Sequence, residues 1–217
     1  MINSIHSIIQ TYISSFHTWK DWSLFVSGVL FIGGFIPYAT SILRRETVPV
    51  KVTWTLGFIL DVIVLIGMLD KGKANFQIVG ACFGAGITML LSWSYGAKGW
   101  KPIDVVSACG AVLGILLWKL FGDSLVGIII ACVTMFVACV PMLQATWIDP
   151  SKEDKLSWTI FYASCVFAVC GVKEWTLVVA AQPVTFLLIE LSMVLLVYLR
   201  PPALSKTREK QYFESPL

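Results

Sequence analysis

A six-residue stretch in the first half of this chain returns, little changed, in its second half. Lys51-Val52-Thr53-Trp54-Thr55-Leu56 recurs as Lys155-Leu156-Ser157-Trp158-Thr159-Ile160, 104 residues later. In the same register Pro37 falls on Pro141, Phe58 on Tyr162, Val62 on Val166 and Gly67 on Gly171. Composition alone explains valine on valine between two apolar helices. It does not explain tryptophan on tryptophan and proline on proline in one register. The chain therefore reads as an internal duplication, which in a membrane protein builds two half-sites around a central pathway.

The membrane assignment rests on composition and run length. Of 217 residues, 57% are hydrophobic and 13% charged, against about 25% charged in a soluble domain. Seven apolar runs approach the roughly 20 residues that a helix needs to cross the hydrocarbon: Trp22–Leu43, Lys51–Leu69, Ala74–Tyr95, Pro102–Leu120, Asp123–Ala145, Lys155–Val172 and Trp175–Leu199. The connections are a few residues each, so no soluble catalytic domain fits between them. The expected fold is an all-α membrane protein with seven transmembrane helices.

Basic residues set the expected orientation. Eleven of the sixteen (Arg44, Arg45, Lys51, Lys98, Lys101, Lys152, Lys155, Arg200, Lys206, Arg208 and Lys210) fall on one side, and Lys20, Lys71, Lys73, Lys119 and Lys173 on the other. Lysine and arginine stay cytoplasmic, so the C-terminus is expected inside and the N-terminus outside a cell membrane. The net charge of +3 reflects this asymmetry and does not suggest nucleic acid. Residues 1–20 carry apolar positions at helical spacing and read as an interfacial amphipathic segment, with His6 and His17 as ordinary interface residues. The polar, proline-broken 200–217 segment reads as a cytoplasmic tail. All six cysteines lie inside spans without zinc spacing and read as packing residues. Asp104 and Asp123, at span ends, read as solvated. Gly80, Gly84 and Gly86, and Gly110 with Gly114, have the small-residue spacing of close helix packing.

Four crossings separate the matched stretches, so the two copies point the same way. The units are residues 22–95 and 123–199, two parallel three-helix repeats joined by a linker helix at 102–120, which restores the direction that a three-helix unit reverses.

A proline late in the first span, a short basic loop and Ser/Thr-Trp opening the next span, doubled in a 3+1+3 chain, resemble the SWEET and PQ-loop transporter superfamily. The resemblance covers about Trp22 to Leu199. It implies alternating access between two triple-helix bundles, with Pro37 and Pro141 as gating hinges. The Pro-Gln dipeptide of that family stands here as Pro37-Tyr38 and Pro141-Met142, with a glutamine at Gln144. The asparagine that SWEETs place in the third and seventh spans has Asn75 and Gln182 as its nearest counterparts.

The residues themselves suggest a binding face. Trp54 and Trp158 open equivalent spans, and one and two turns further in come Phe58 and Asp61, and Tyr162 and Cys165. Aromatic walls with few polar groups suit a small hydrogen-bonding solute such as a sugar, amino acid or nucleoside. Asp61 and Glu190 fall in the middle of apolar spans, where an ionised group costs at least about 2.5–3.5 kcal/mol, and neither has a lysine or arginine at its depth. Interior-facing and able to gain and lose a proton, they are the candidates for proton coupling, as the PQ-loop resemblance also implies.

No nucleophile–base pair, metal triad, phosphate loop or cofactor motif is visible, so catalysis, metal and cofactor are not expected. The expected partners are a small-molecule solute and membrane lipid, with a homo-oligomer left open. Two other classes remain. One is a vitamin or nucleoside carrier resembling the nicotinamide-riboside carriers. The other is a seven-helix receptor with a SWEET-like fold, although a KDEL-receptor type would need interior basic residues and an opsin a lysine in the seventh span.

Overall fold

The local sequence sets where each helix starts. A computed structural model of the chain describes residues 18–97 and 101–200; the readings of residues 1–17, including His6 and His17, and of 201–217 lie outside the described residues. The helices are α1 (Trp19–Leu43), α2 (Lys51–Asp70), α3 (Phe76–Tyr95), α4 (Pro102–Phe121), α5 (Ser124–Ile148), α6 (Lys155–Cys170) and α7 (Leu177–Leu199), with a 3₁₀ turn at Pro150–Lys152. Short polar side chains satisfy the free N–H groups of several first turns. Asn75 accepts from Ile78 N–H, Asp123 from Leu125 and Val126, and Asp154 from Ser157. Asp104 departs from the solvated reading. It is buried near the start of α4, where one oxygen accepts the Lys101 N–H at 2.8 Å.

Six of these helices are long and apolar enough to cross a membrane. The exception is α6. Its 16 residues reach about 24 Å at 1.5 Å per residue, short of the ~30 Å hydrocarbon. It makes up for this in burial, since Trp158, Phe161, Cys165 and Ala168 are all sealed inside the protein. Among the described residues there is no strand.

The six helices α1, α3, α2, α5, α7 and α6 pack in that order into a closed ring, and α4 stands outside it against α5 and the edge of α2. Every neighbour in the ring has a counterpart: α1·α3 with α5·α7, α2·α3 with α6·α7, and α1·α6 with α5·α2. Glycine permits the closest approaches. A Cβ on Gly84 of α3 would sit 1.9 Å from the Phe35 ring of α1, and one on Gly34 of α1 would sit 2.6 Å from Phe161 of α6. Hydrophobic side chains such as Ile36, Phe83, Leu90 and Leu120 point outward, as on a surface facing lipid.

Hydrogen bonds between loops define two ends. At one end Val48 N–H bonds Lys152 O at 3.1 Å, Ala97 N–H bonds Pro49 O at 3.1 Å, and Arg200 Nε bonds Trp147 O at 3.2 Å. This basic end carries the α1–α2, α3–α4 and α5–α6 connections. At the opposite end Lys20 Nζ donates to Val172 O at 2.9 Å, Lys73 pairs with Glu174 at 3.1 Å, and Asp21 pairs with Lys173.

Candidate functional site

Trp54, Asp61, Trp158 and Glu190 line a single cavity inside the helix ring. Helices α1, α2, α3, α5, α6 and α7 all contribute to its wall. Five pairs of lining residues stand 104 positions apart: Phe31 with Met135, Phe35 with Cys139, Trp54 with Trp158, Gly57 with Phe161, and Ala85 with Ile189. Thr53, Asp61, Met142, Phe186 and Glu190 line the wall without a counterpart at that spacing. The halves are not equal. Where α6 presents the Phe161 ring, α2 presents Gly57, whose Cβ would meet nothing within 4 Å. The cavity amounts to ≈ 70 Å³, counted as the positions open to the centre of a water molecule. One water needs about 10–15 Å³ by that measure, so a few waters or one small solute fit.

Two carboxyl oxygens at this cavity lack hydrogen-bond partners, Asp61 Oδ1 and Glu190 Oε2. Both carboxyl residues are deeply buried, at 5% and 7% exposure. No ion pair among the described residues reaches either one. Buried polar groups are normally satisfied, and orphans gathered at one cavity make it the candidate site. The rest of the wall is largely aromatic. Phe31 stacks on Phe186 at 5.6 Å between centroids, and Phe35 packs on Phe161 at 4.7 Å.

A polar chain crosses the protein between the cavity and the opposite end. Asn75 Nδ2 donates to Gln182 Oε1 at 3.0 Å, Gln182 Nε2 to Gln77 Oε1 at 3.0 Å, and Gln77 Nε2 to Ser164 Oγ at 3.2 Å and Cys165 Sγ at 3.3 Å. Ser164 Oγ in turn donates to Ser27 O at 2.7 Å. Helices α3, α7, α6 and α1 are tied together in this way. Beyond the chain lies a second hollow of ≈ 340 Å³, lined by Asp21, Lys73, Asn75, Lys173, Glu174 and Pro183 among others.

At the basic end stands an aromatic and acidic cluster. Tyr38, directly after Pro37, is fully buried and packs 5.2 Å from Trp54 and 5.8 Å from Trp158. Glu153, in the α5–α6 connection, accepts from Trp158 Nε1 at 2.9 Å and from Tyr38 Oη at 3.1 Å through the same oxygen. Burial pushes the Glu153 carboxyl up to about 7, against the downward pull of those two hydrogen bonds. The neighbouring Asp154 charge adds to the rise.

The other sequence candidates stand elsewhere. Phe58 is half-buried against Gly86 of α3, and neither it nor Tyr162 lines the cavity. Helix phase is the reason. At 100° per residue, the wall positions Trp54, Gly57 and Asp61 cluster on one side, and the residue four after the tryptophan turns past its edge. Gln182 and Asn75 belong to the polar chain, not to the cavity wall. Gln144 is exposed, whereas Met142, directly after Pro141, lines the cavity. Pro37 and Pro141 both sit within unbroken helices.

Several residues were invisible to the sequence reading. Glu153 lies in a charged loop that resembles solvated surface. Gln77 and Ser164 stand alone in apolar runs. The register itself carries a signal for Phe161, because it is the counterpart of Gly57 beside a matched tryptophan.

No protein-family profile, curated protein sequence or solved structure matches this chain.

Proposed function

We propose that this multi-pass membrane protein is a transporter of the SWEET and PQ-loop kind. It carries a small polar solute by alternating access between the α1–α3 and α5–α7 units, with α4 as the linker. The observation that carries the reading is the central cavity, whose wall pairs residues 104 apart and whose unpartnered polar atoms come from both units. Duplicated carriers bind at the interface of their repeats.

The barriers on either side support the same cycle. The Asn75–Gln182–Gln77–Ser164 chain separates the cavity from one end, and the Tyr38–Trp158–Glu153 cluster stands toward the other. Opening one while the other holds moves a solute without an open pore. Each barrier joins helices of different units, so rocking the units apart at one end breaks one set of bonds. The basic end is taken as cytoplasmic, since that side carries the lysine and arginine excess. Asp61 and Glu190 are the groups that link the cycle to protons.

The aromatic walls also suit a flat heteroaromatic solute of the nicotinamide-riboside type, so the test includes both classes. Purified protein in proteoliposomes is assayed by counterflow with labelled sugars, amino acids, amines and nucleosides. One class is expected to exchange, and to lose exchange on Trp54→Ala. No exchange by any class, with the protein shown to be folded, overturns the transporter reading.

A further inference from the structure

The central cavity is furnished for positive charge. Its side chains include two buried carboxyls with unpartnered oxygens, and no lysine or arginine lies in its wall. The other polar wall groups do little for a neutral solute. Thr53 Oγ1 is committed to Ala138 O at 2.9 Å, and the Trp54 indole stands beside the Tyr38 phenol, 5.2 Å between ring centroids. A sugar, with hydroxyls on every side, finds most of the wall apolar. An anion would meet only like charge. A cation with an apolar body meets carboxylates and, around them, the electron-rich faces of Phe31, Phe35, Trp54 and Phe186, an environment that attracts ammonium groups.

We propose that the cavity binds a small organic ammonium ion and exchanges it for protons at Asp61 and Glu190. The inference rests on the transporter reading and names its solute class. Cation and protons compete for the same two carboxyls, so loading one releases the other. Other titratable groups facing this pair are Tyr38 of α1, Cys82 of α3, Cys132 and Cys139 of α5, Cys165 of α6 and Glu153 of the α5–α6 connection. All are neutral or acidic, so none supplies the missing positive charge. The cavity's ≈ 70 Å³ limits the headgroup to roughly the size of a few waters, which fits a methylated or primary ammonium.

The test is calorimetric titration of the purified full-length chain with tetramethylammonium, choline and the uncharged choline isostere 3,3-dimethyl-1-butanol. It is run at pH 6 and pH 8 in a Glu153→Gln background, because Glu153 titrates between those values. Both cations are expected to bind at pH 8 and about tenfold more weakly at pH 6, with the isostere failing to compete. Repeating the titration in buffers of different ionisation enthalpy is expected to reveal proton release. Asp61→Asn and Glu190→Gln are each expected to weaken cation binding by about tenfold or more, a tenfold change being 1.4 kcal/mol. The pH dependence is read without these variants, so their misfolding does not rescue the proposal. Equal binding of the isostere, pH-independent binding, or no binding of either cation overturns it. Counterflow of a sugar or nucleoside without cation binding overturns the cation assignment and leaves the transporter reading standing. Cation binding without flux does the reverse.

Discussion

The Trp158 indole N–H donates 2.9 Å to the Glu153 carboxylate, which joins the first turn of α6 to the connection before it. The Tyr38 phenol of α1 shares the same oxygen. The cluster stands at the basic end of the ring, and its central acid holds a proton at pH values where an ordinary glutamate does not.

Glu153 should therefore make stability depend on pH. Its folded-state value of about 7 lies above the ordinary 4.5. The proton is held more tightly in the folded protein, so the contribution is complete below pH 4.5 and disappears as pH rises through 7. The span corresponds to about 3 kcal/mol at 1.36 kcal/mol per unit. The melting temperature of the detergent-solubilised protein is expected to fall between pH 5 and 7.5. Glu153→Gln, which keeps an acceptor for both donors, should flatten that profile. An unchanged slope in the variant would assign the pH dependence to another group.

The paired tryptophans differ as experimental targets. Trp158 is 1% exposed and hydrogen-bonded, so Trp158→Ala opens a hole worth about 3–5 kcal/mol and leaves Glu153 with the Tyr38 hydroxyl alone of its two donors. Trp54 is partly exposed and lines the cavity. Trp54→Ala is expected to reduce solute affinity by about tenfold, in keeping with the loss of a 1–1.5 kcal/mol aromatic contact, at modest expense in stability. Trp22, exposed on α1, should tolerate alanine within about twofold. Equal loss of affinity in the Trp22 and Trp54 variants would reduce Trp54 to an interfacial anchor.

Asp61 is the side chain on which proton coupling is best tested. Asp61→Asn keeps the shape and a hydrogen-bonding amide but cannot cycle a charge. Uptake by the wild-type protein is expected to respond to an imposed proton gradient. In Asp61→Asn the residual flux at saturating solute should be the same with and without the gradient. Gradient-driven uptake preserved in the variant would make Asp61 structural and leave coupling to Glu190 alone.

Much of this was readable from the chain because it depends on periodicity and on rare residues. Apolar run length located the helices, and the matched Trp54 and Trp158 both line the cavity. Asp61 and Glu190 stood out because charge is costly at mid-span. Phe58 and Tyr162 lie off the cavity wall because adjacent helix positions differ by 100°, and sequence alone does not fix which edge of a stripe meets the cavity. Glu153 was hidden among Asp149, Lys152, Asp154 and Lys155, since burial of one acid in a charged loop depends on which helices meet above it. The Gln77–Gln182 bond joins residues 105 apart, and no local pattern encodes it.

The close approach of α3 to α1 gives a packing test. Gly84→Ala places a methyl group where the Phe35 ring lies, 1.9 Å away. Overpacking of this kind costs about 1–3 kcal/mol, so a lower melting temperature is expected. Gly33, on the same helix as Phe35, has nothing within 4 Å of its Cβ position. Gly33→Ala should be neutral or slightly stabilising, since alanine is favoured over glycine in a helix by about 1 kcal/mol. Equal effects at the two positions would contradict the α1–α3 contact.

The polar chain at the opposite end makes the last prediction, because Cys165 reports on it directly. Cys165 is fully buried and receives a hydrogen bond from Gln77, whose own carbonyl is held by Gln182. Gln182→Ala leaves the Gln77 oxygen and the Asn75 amide without their partners, at about 1–3 kcal/mol for each stranded group. If the chain is a barrier that opens during transport, losing its middle link shifts the population toward the state open at this end. In a background where the other five cysteines are serine, a membrane-impermeant maleimide added from that side should label Cys165 several-fold faster in Gln182→Ala than in the parent. Bound solute should change the rate again. A variant that melts at lower temperature while Cys165 stays as unreactive as before would make the chain a fixed tie between helices and move the gate elsewhere.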